Sequence, residues 1–123
     1  MLLEELSRRI IGAAMEVHRC LGPGYVESIY RNALLVELRL KGLSLKSEVQ
    51  VPIKYKNHAV GRHQMDLIVE DRVIVELKAT DGIAGVHLAQ ALSYMKATGL
   101  EVSLVVNFGG PSLTWKRLVK TQK

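Results

Sequence analysis

The stretch Met65-Asp66-Leu67-Ile68-Val69-Glu70-Asp71-Arg72-Val73-Ile74-Val75-Glu76-Leu77-Lys78-Ala79 decides how this chain folds. Two apolar runs flank three charged residues, the pattern of two strands joined by a tight turn. If Glu70, Asp71 and Arg72 form the loop, Val69 faces Val73, Leu67 faces Val75 and Met65 faces Leu77. The opposite face then carries Asp66 beside Glu76, Ile68 beside Ile74, and Lys78 just beyond. A two-residue loop would instead pair Val69 with Arg72 and Asp66 with Val75, mixing charge into the apolar face. A one-residue slip sends every side chain to the other face, so the hydrophobic pattern selects the three-residue loop.

That register sets the two acids directly opposite, with Cβ atoms about 4.5–5.5 Å apart. Like charges at that distance repel, and they need a cation or a proton to coexist. Glu76 and Lys78, two residues apart in a strand, share the same face. Two carboxylates and a lysine on one sheet face are what a divalent metal and an activated water need for phosphodiester cleavage. Asp66 and Glu76 are therefore the expected metal ligands, and their hard oxygens favour Mg²⁺ or Mn²⁺. The Leu77 carbonyl could add to the coordination sphere, and Lys78 would orient the attacking water or stabilise charge on the pentacovalent phosphate. The competing reading is a surface ion pair on an exposed sheet face.

Outward from this hairpin the chain reads as helices and strands in the order ααβββαβ, with Leu113–Val119 open to reading as a final edge strand. Leu2 to Cys20 forms an amphipathic helix with Leu3, Leu6, Ile10, Ala13 or Ala14, and Val17 at helical spacing, broken by Leu21-Gly22-Pro23-Gly24. A second helix runs from Val26 to Lys41, with Ile29, Ala33, Val36 and Leu40 among its apolar positions, and Gly42 stops it. Glu48–Tyr55 alternates as a strand, Lys56-Asn57-His58 turns, and Ala59–Val69 and Val73–Ala79 follow as strands. Thr80–Gly85 is a glycine-punctuated loop, Val86–Thr98 a helix ended by Gly99, and Val102–Phe108 a central strand. Three strands joined by hairpins and then a helical crossover to a fourth specify an α/β chain, a mixed sheet flanked by helices.

Other residues invite a functional reading. Glu27 and Tyr30 lie at i and i+3 on one helix face. Glu27 is open to reading as a metal ligand or as a carboxylate stabilised by the helix dipole, and Tyr30 as a packing residue or a phosphate contact. On the third helix His87, Gln90 and Tyr94 form a polar stripe that could hold a phosphate, beside an apolar stripe of Leu88, Leu92 and Met95. His87 could also carry protons. His63 falls with Met65 on the apolar face of its strand, which argues against a catalytic part.

The 123 residues suit a single domain over 1–123, with a net charge of +5 that fits a polyanionic partner. Lys116, Arg117, Lys120 and Lys123 crowd the C-terminal end. Cys20 is the only cysteine, which excludes an intramolecular disulfide and a cysteine-based zinc site. No apolar run approaches a membrane span, and Glu4, Glu5, Arg8 and Arg9 leave no room for a signal peptide, so a soluble, cytoplasmic protein is expected. Aromatics are 5% of residues and do not interleave with basic ones, so base stacking is not indicated.

Asp66, then Glu76-Leu77-Lys78, then Gln90 and Tyr94 resemble the PD-(D/E)XK nuclease superfamily in its Gln-x-x-x-Tyr-bearing branch. Gly24-x-x-Glu27-x-x-Tyr30, preceded by Leu21-Gly22-Pro23, resembles the GxxExxY family of that superfamily. The resemblance extends through Tyr94–Leu100 and Val106–Gly109. It implies a restriction-endonuclease-like core and a metal-dependent phosphodiesterase site. Asp66, Glu76 and Lys78 match the catalytic triplet, Glu27 the helical acid that completes metal binding, and Gln90 and Tyr94 the helix motif. One departure is Met65, where the superfamily's name has proline.

The expected function is a Mg²⁺-dependent nuclease acting on DNA, working as a homodimer as structure-selective nucleases do. A non-catalytic nucleic-acid-binding or accessory module with the same fold is the alternative. A third reading is a structural homodimer whose acids regulate assembly by binding a cation; salt-dependent nucleic-acid binding separates it from the first two.

Overall fold

A computed structural model describes residues 3–120. The elements run α1 (Glu4–Leu21), α2 (Glu27–Leu40), β1 (Leu45–Tyr55), β2 (His58–Val69), β3 (Val73–Lys78), α3 (Gly85–Thr98), β4 (Val102–Asn107) and β5 (Thr114–Val119). Leu2, expected to open the first helix, and Lys123 of the basic cluster lie outside the described residues. The strands form one mixed sheet in the order β1-β2-β3-β4-β5. The β1–β2, β2–β3 and β4–β5 pairs are antiparallel, while β3 and β4 run parallel through the α3 crossover. The anticipated final strand is real and forms the sheet edge. This mixed sheet flanked by helices is the restriction-endonuclease-like architecture.

The β2–β3 hairpin has the three-residue loop and the register that the apolar pattern selects: Val69 opposite Val73, Ile68 opposite Ile74, Leu67 opposite Val75. Glu70 and Asp71 both take positive φ to make the turn. The two sheet faces build two cores. Leu67, Val69, Val73, Val75, Leu77, Val102, Leu104 and Val106 pack under α1 and α2. Ile68 and Ile74 pack on the other side with Tyr94 and Met95 of α3.

Met65 departs from strict alternation. It pairs with Val49 and packs with Val51, Ile68 and Tyr94, not with Leu67 and Leu77. The β2–β3 ladder stops at Leu67 and Val75, and opposite Asp66 the residue Glu48 has φ 51°. A left-handed residue in a strand turns the ribbon locally, so the outer half of the β1–β2 hairpin presents its apolar side to α3. The hairpin tip is a two-residue turn, Lys56-Asn57, with both residues at positive φ, so His58 belongs to the strand.

The buried stripe of α2 is Tyr30, Leu34 and Leu38. Ile29, Val36 and Leu40, among the apolar positions read from the sequence, are 41%, 58% and 76% exposed. This helix carries apolar residues on most of its circumference, so periodicity alone cannot orient it. Tyr30 decides: its ring stacks on Phe108 at 4.7 Å, and its hydroxyl donates to the Gly22 carbonyl and accepts the Tyr25 N–H. On α3 the buried residues are Ala91, Tyr94 and Met95, while Leu92 is exposed. Tyr94 takes the core position that Leu92 was expected to hold.

Candidate active site

Where the β2–β3 ladder ends, side chains replace backbone pairing. The Glu76 carboxylate accepts the Asp66 N–H at 3.0 Å, and the Asp66 carboxylate accepts the Leu77 N–H at 2.8 Å. Each acid thus caps a donor exposed by the parting of the strands, and both are buried, with 8% of Asp66 and 4% of Glu76 exposed. The acids are brought together as the sequence register requires.

Burial and the neighbouring negative charge of Asp66 push the Glu76 carboxyl up to about 8, against the pull of the Asp66 N–H and Lys78. Glu27, at the first position of α2, is also raised, by burial and then by Asp66, with Lys78 and Arg31 opposing. Burial first, then the charges of Glu76 and Asp66, push the Tyr94 hydroxyl up to about 12. Acids from β2, β3 and α2, the Lys78 amine and the Tyr94 phenol therefore share one electrostatic field, and the acids carry the excess.

The other expected site residues fall differently. Tyr30 is fully buried and its hydroxyl is used twice within the fold, so it is a packing residue that staples the Gly22–Tyr25 turn to α2 and cannot reach substrate. His87 accepts the Ala84 N–H at 3.0 Å through Nδ1 and serves as a cap on the first turn of α3. Gln90 is half-buried one helical turn before Tyr94, on the same side of α3. Lys78 is half-buried at the end of β3, held beside β4 by its pairing with Asn107.

Three residues escaped the sequence reading. Arg31 on α2 places Nη1 3.5 Å from Asp66 Oδ1, and its i+4 spacing from Glu27 was the available signal. His63, assigned to an apolar face by strict alternation, contacts the Tyr94 hydroxyl at 3.2 Å through Nδ1, because the ribbon turns at Glu48 and Asp66. Asn107 is buried and clamps Thr80 twice, accepting its N–H and donating to its carbonyl, each at 3.0 Å, which fixes the chain as it leaves β3. Gly109 completes that clamp, since a Cβ there would collide with the Thr80 backbone.

Among the described residues no three His, Cys, Asp or Glu side chains converge as a ready metal-binding group. The reason is visible: Asp66 and Glu76 are turned onto each other's strand, and Arg31 sits against Asp66. The donor chemistry nonetheless fits a hard divalent cation. Two desolvated carboxylates, with Glu27 beside them, are destabilised by mutual repulsion that such an ion would remove.

A family model described as the PD-(D/E)XK nuclease superfamily matches residues 4–118. The chain belongs to that superfamily. The fold is similar to that in a crystal structure of SSO0001, with a TM-score of 0.59 at 16% identity over 78% of this chain. The chain spans about half of that protein's length, 50%. No curated protein matches the sequence. PD-(D/E)XK nucleases generally use divalent metal ions. No helix among the described residues is long and apolar enough to cross a membrane.

Proposed function

We propose that the chain, read as one nuclease-like domain over 1–123, is a Mg²⁺- or Mn²⁺-dependent phosphodiesterase that cleaves DNA, and that it falls in the GxxExxY group of its superfamily. The buried, interlocked Asp66–Glu76 pair at the parting of β2 and β3 carries this reading. Asp66, Glu76 and Glu27, with the Leu77 carbonyl, would hold the ion. When bound, it would polarise the phosphate and ease deprotonation of water. Lys78, on the acids' side of β3, orients the attacking water and stabilises negative charge gathering on the phosphate oxygens. Tyr94 lies within the field of the acids, and Gln90, one helical turn before it on the same side of α3, would help it position the phosphate. The GxxExxY reading rests on the division of labour within the motif: Tyr30 fixes the turn after Gly22, and that turn delivers Glu27 to the acids.

Lys54, Lys56 and Arg62 are exposed on the outer β1–β2 hairpin. A groove of about 540 Å³ between that hairpin and α3 is lined in part by Lys54 and Lys96, a suitable track for a phosphodiester backbone. The reading includes a homodimer. Val26, Ile29, Ala33, Val36 and Leu40 recur at intervals of three and four along α2, and all but the half-buried Ala33 are exposed. Such a seam suits a second copy of the same helix, with small Ala33 at its centre allowing close approach.

A second reading, a nucleic-acid-binding module without catalysis, draws on the same site. Arg31 already supplies a positive charge to Asp66, and no three ligating side chains converge among the described residues. Titration calorimetry of Mg²⁺ and Mn²⁺ into wild type and Glu76→Ala, followed by cleavage of branched, single-stranded and duplex DNA, separates the two. Metal binding and cutting that both vanish in Glu76→Ala support the nuclease. Wild-type protein that binds DNA but neither metal nor cuts supports the module.

A further inference from the structure

Arg31 is a charged residue at the site that neither the acid–acid–lysine set, the α3 motif nor the Gly24–Glu27–Tyr30 motif explains. It projects from α2 to Asp66, with 16% of its side chain exposed, and its charge also acts on Glu27. Its bond to Asp66 is long, 3.5 Å, and among the described residues its buried Nε has no hydrogen-bond partner. A guanidinium offers five donors in a rigid fork suited to two-oxygen acceptors, and leaving a buried N–H unpaired costs about 1–3 kcal/mol. An arginine so poorly matched to its carboxylate is not an optimised structural ion pair.

We propose that Arg31 is a phosphate-binding residue held in reserve: it neutralises Asp66 while the acids lack a metal, and it turns its fork to a backbone phosphate of the nucleic acid once a divalent ion takes over Asp66. This inference rests on the nuclease reading above for the metal, and on Arg31's own geometry for the phosphate. Two consequences distinguish it from a structural role. Removing Arg31 relieves competition for Asp66, so metal binds more tightly. It also removes one phosphate contact, so nucleic acid binds more weakly and with less salt dependence.

The test uses the intact chain and two probes. Mn²⁺ alone is titrated calorimetrically into wild type, Arg31→Met and Glu76→Gln. A short DNA duplex is titrated separately in Ca²⁺ at several salt concentrations, with thermal melting of each variant as a control. Arg31→Met is expected to bind Mn²⁺ about tenfold more tightly than wild type, by loss of a competing charge. Its DNA affinity should fall about tenfold, and the slope of log affinity against log salt should decrease by about one phosphate's worth. An unchanged Mn²⁺ affinity or an unchanged slope in folded Arg31→Met overturns the proposal. If Arg31→Met does not fold, Arg31→Lys decides: it keeps the charge but loses the fork, so DNA binding must still weaken, and wild-type DNA affinity overturns the proposal. Absence of Mn²⁺ binding in wild type sinks the nuclease reading and the reserve role together, whereas metal binding with a null effect at Arg31 sinks the reserve role alone.

Discussion

The Glu76 carboxyl makes the metal-free protein sensitive to alkali, and the size of the effect follows from its surroundings. Burial and Asp66 raise it from 4.5 to about 8, so the folded chain holds this proton more tightly than the unfolded chain does. The stability gained from that proton is fully present below pH 4.5 and is lost as pH rises toward 8. The loss is about 1.4 kcal/mol per pH unit, with a ceiling of about 5 kcal/mol over the interval. Adjustment of Lys78 and Arg31 toward the acids reduces this, and about 2–3 kcal/mol is the expected net effect. Glu76→Gln removes the titration while keeping an oxygen for the Asp66 N–H. The assay is urea denaturation of wild type and Glu76→Gln in EDTA at intervals from pH 5 to 8.5. The variant should gain on wild type steadily across that range, becoming the more stable protein near pH 8 while losing all metal-dependent cleavage. Mg²⁺ should return the wild type's lost stability at pH 8 and leave the variant unmoved. Parallel pH–stability curves for the two proteins would refute the reasoning, because the buried acid would then carry no penalty.

Three further outcomes are expected. Tyr30→Phe loses the hydroxyl that serves Gly22 and Tyr25, and should cost about 1–2 kcal/mol in denaturant unfolding, with cleavage per folded molecule lowered only as far as the loosened turn displaces Glu27. A large fall in turnover with unchanged stability would restore Tyr30 as a substrate contact. Gly109→Ala must push the Thr80 backbone away and should lower stability by about 2–3 kcal/mol, readable as a drop in melting temperature; an unshifted melt would show the approach to be looser than described. Val36→Glu with Leu40→Glu places charge in the exposed α2 seam; under the proposed homodimer, wild type should sediment as a dimer and the variant as a monomer, and identical sedimentation of the two proteins would remove α2 as the interface.

The local sequence carried the centre of this fold. In β2 and β3 the apolar residues alternate, and the charged loop has one length that keeps them in phase, so register and acid pairing could be read directly. What could not be read arises from departures from the ideal ribbon. Strict alternation put His63 and Met65 with Leu67, yet the left-handed Glu48 and the carboxylates wedged opposite it turn the hairpin, and both residues face α3. The orientation of α2 was ambiguous because its surface has too many apolar residues for a moment to choose among them. A tertiary contact, Tyr30 on Phe108, makes the choice. His87 looked like a member of a functional stripe because capping and catalysis use the same residue types, and only the Ala84 N–H distinguishes them.

The Tyr30 hydroxyl has a consequence for how the site is assembled. Asp66 and Glu76 are ten residues apart and meet through a hairpin that forms locally, whereas Glu27 arrives from a helix 39 residues upstream of Asp66. The link is the turn held by Tyr30, whose ring must first settle on Phe108, far along the chain. A chain with the sheet hairpin formed but α2 undocked therefore presents two acids and lacks the third. Full charge at the centre is a property of the finished fold alone.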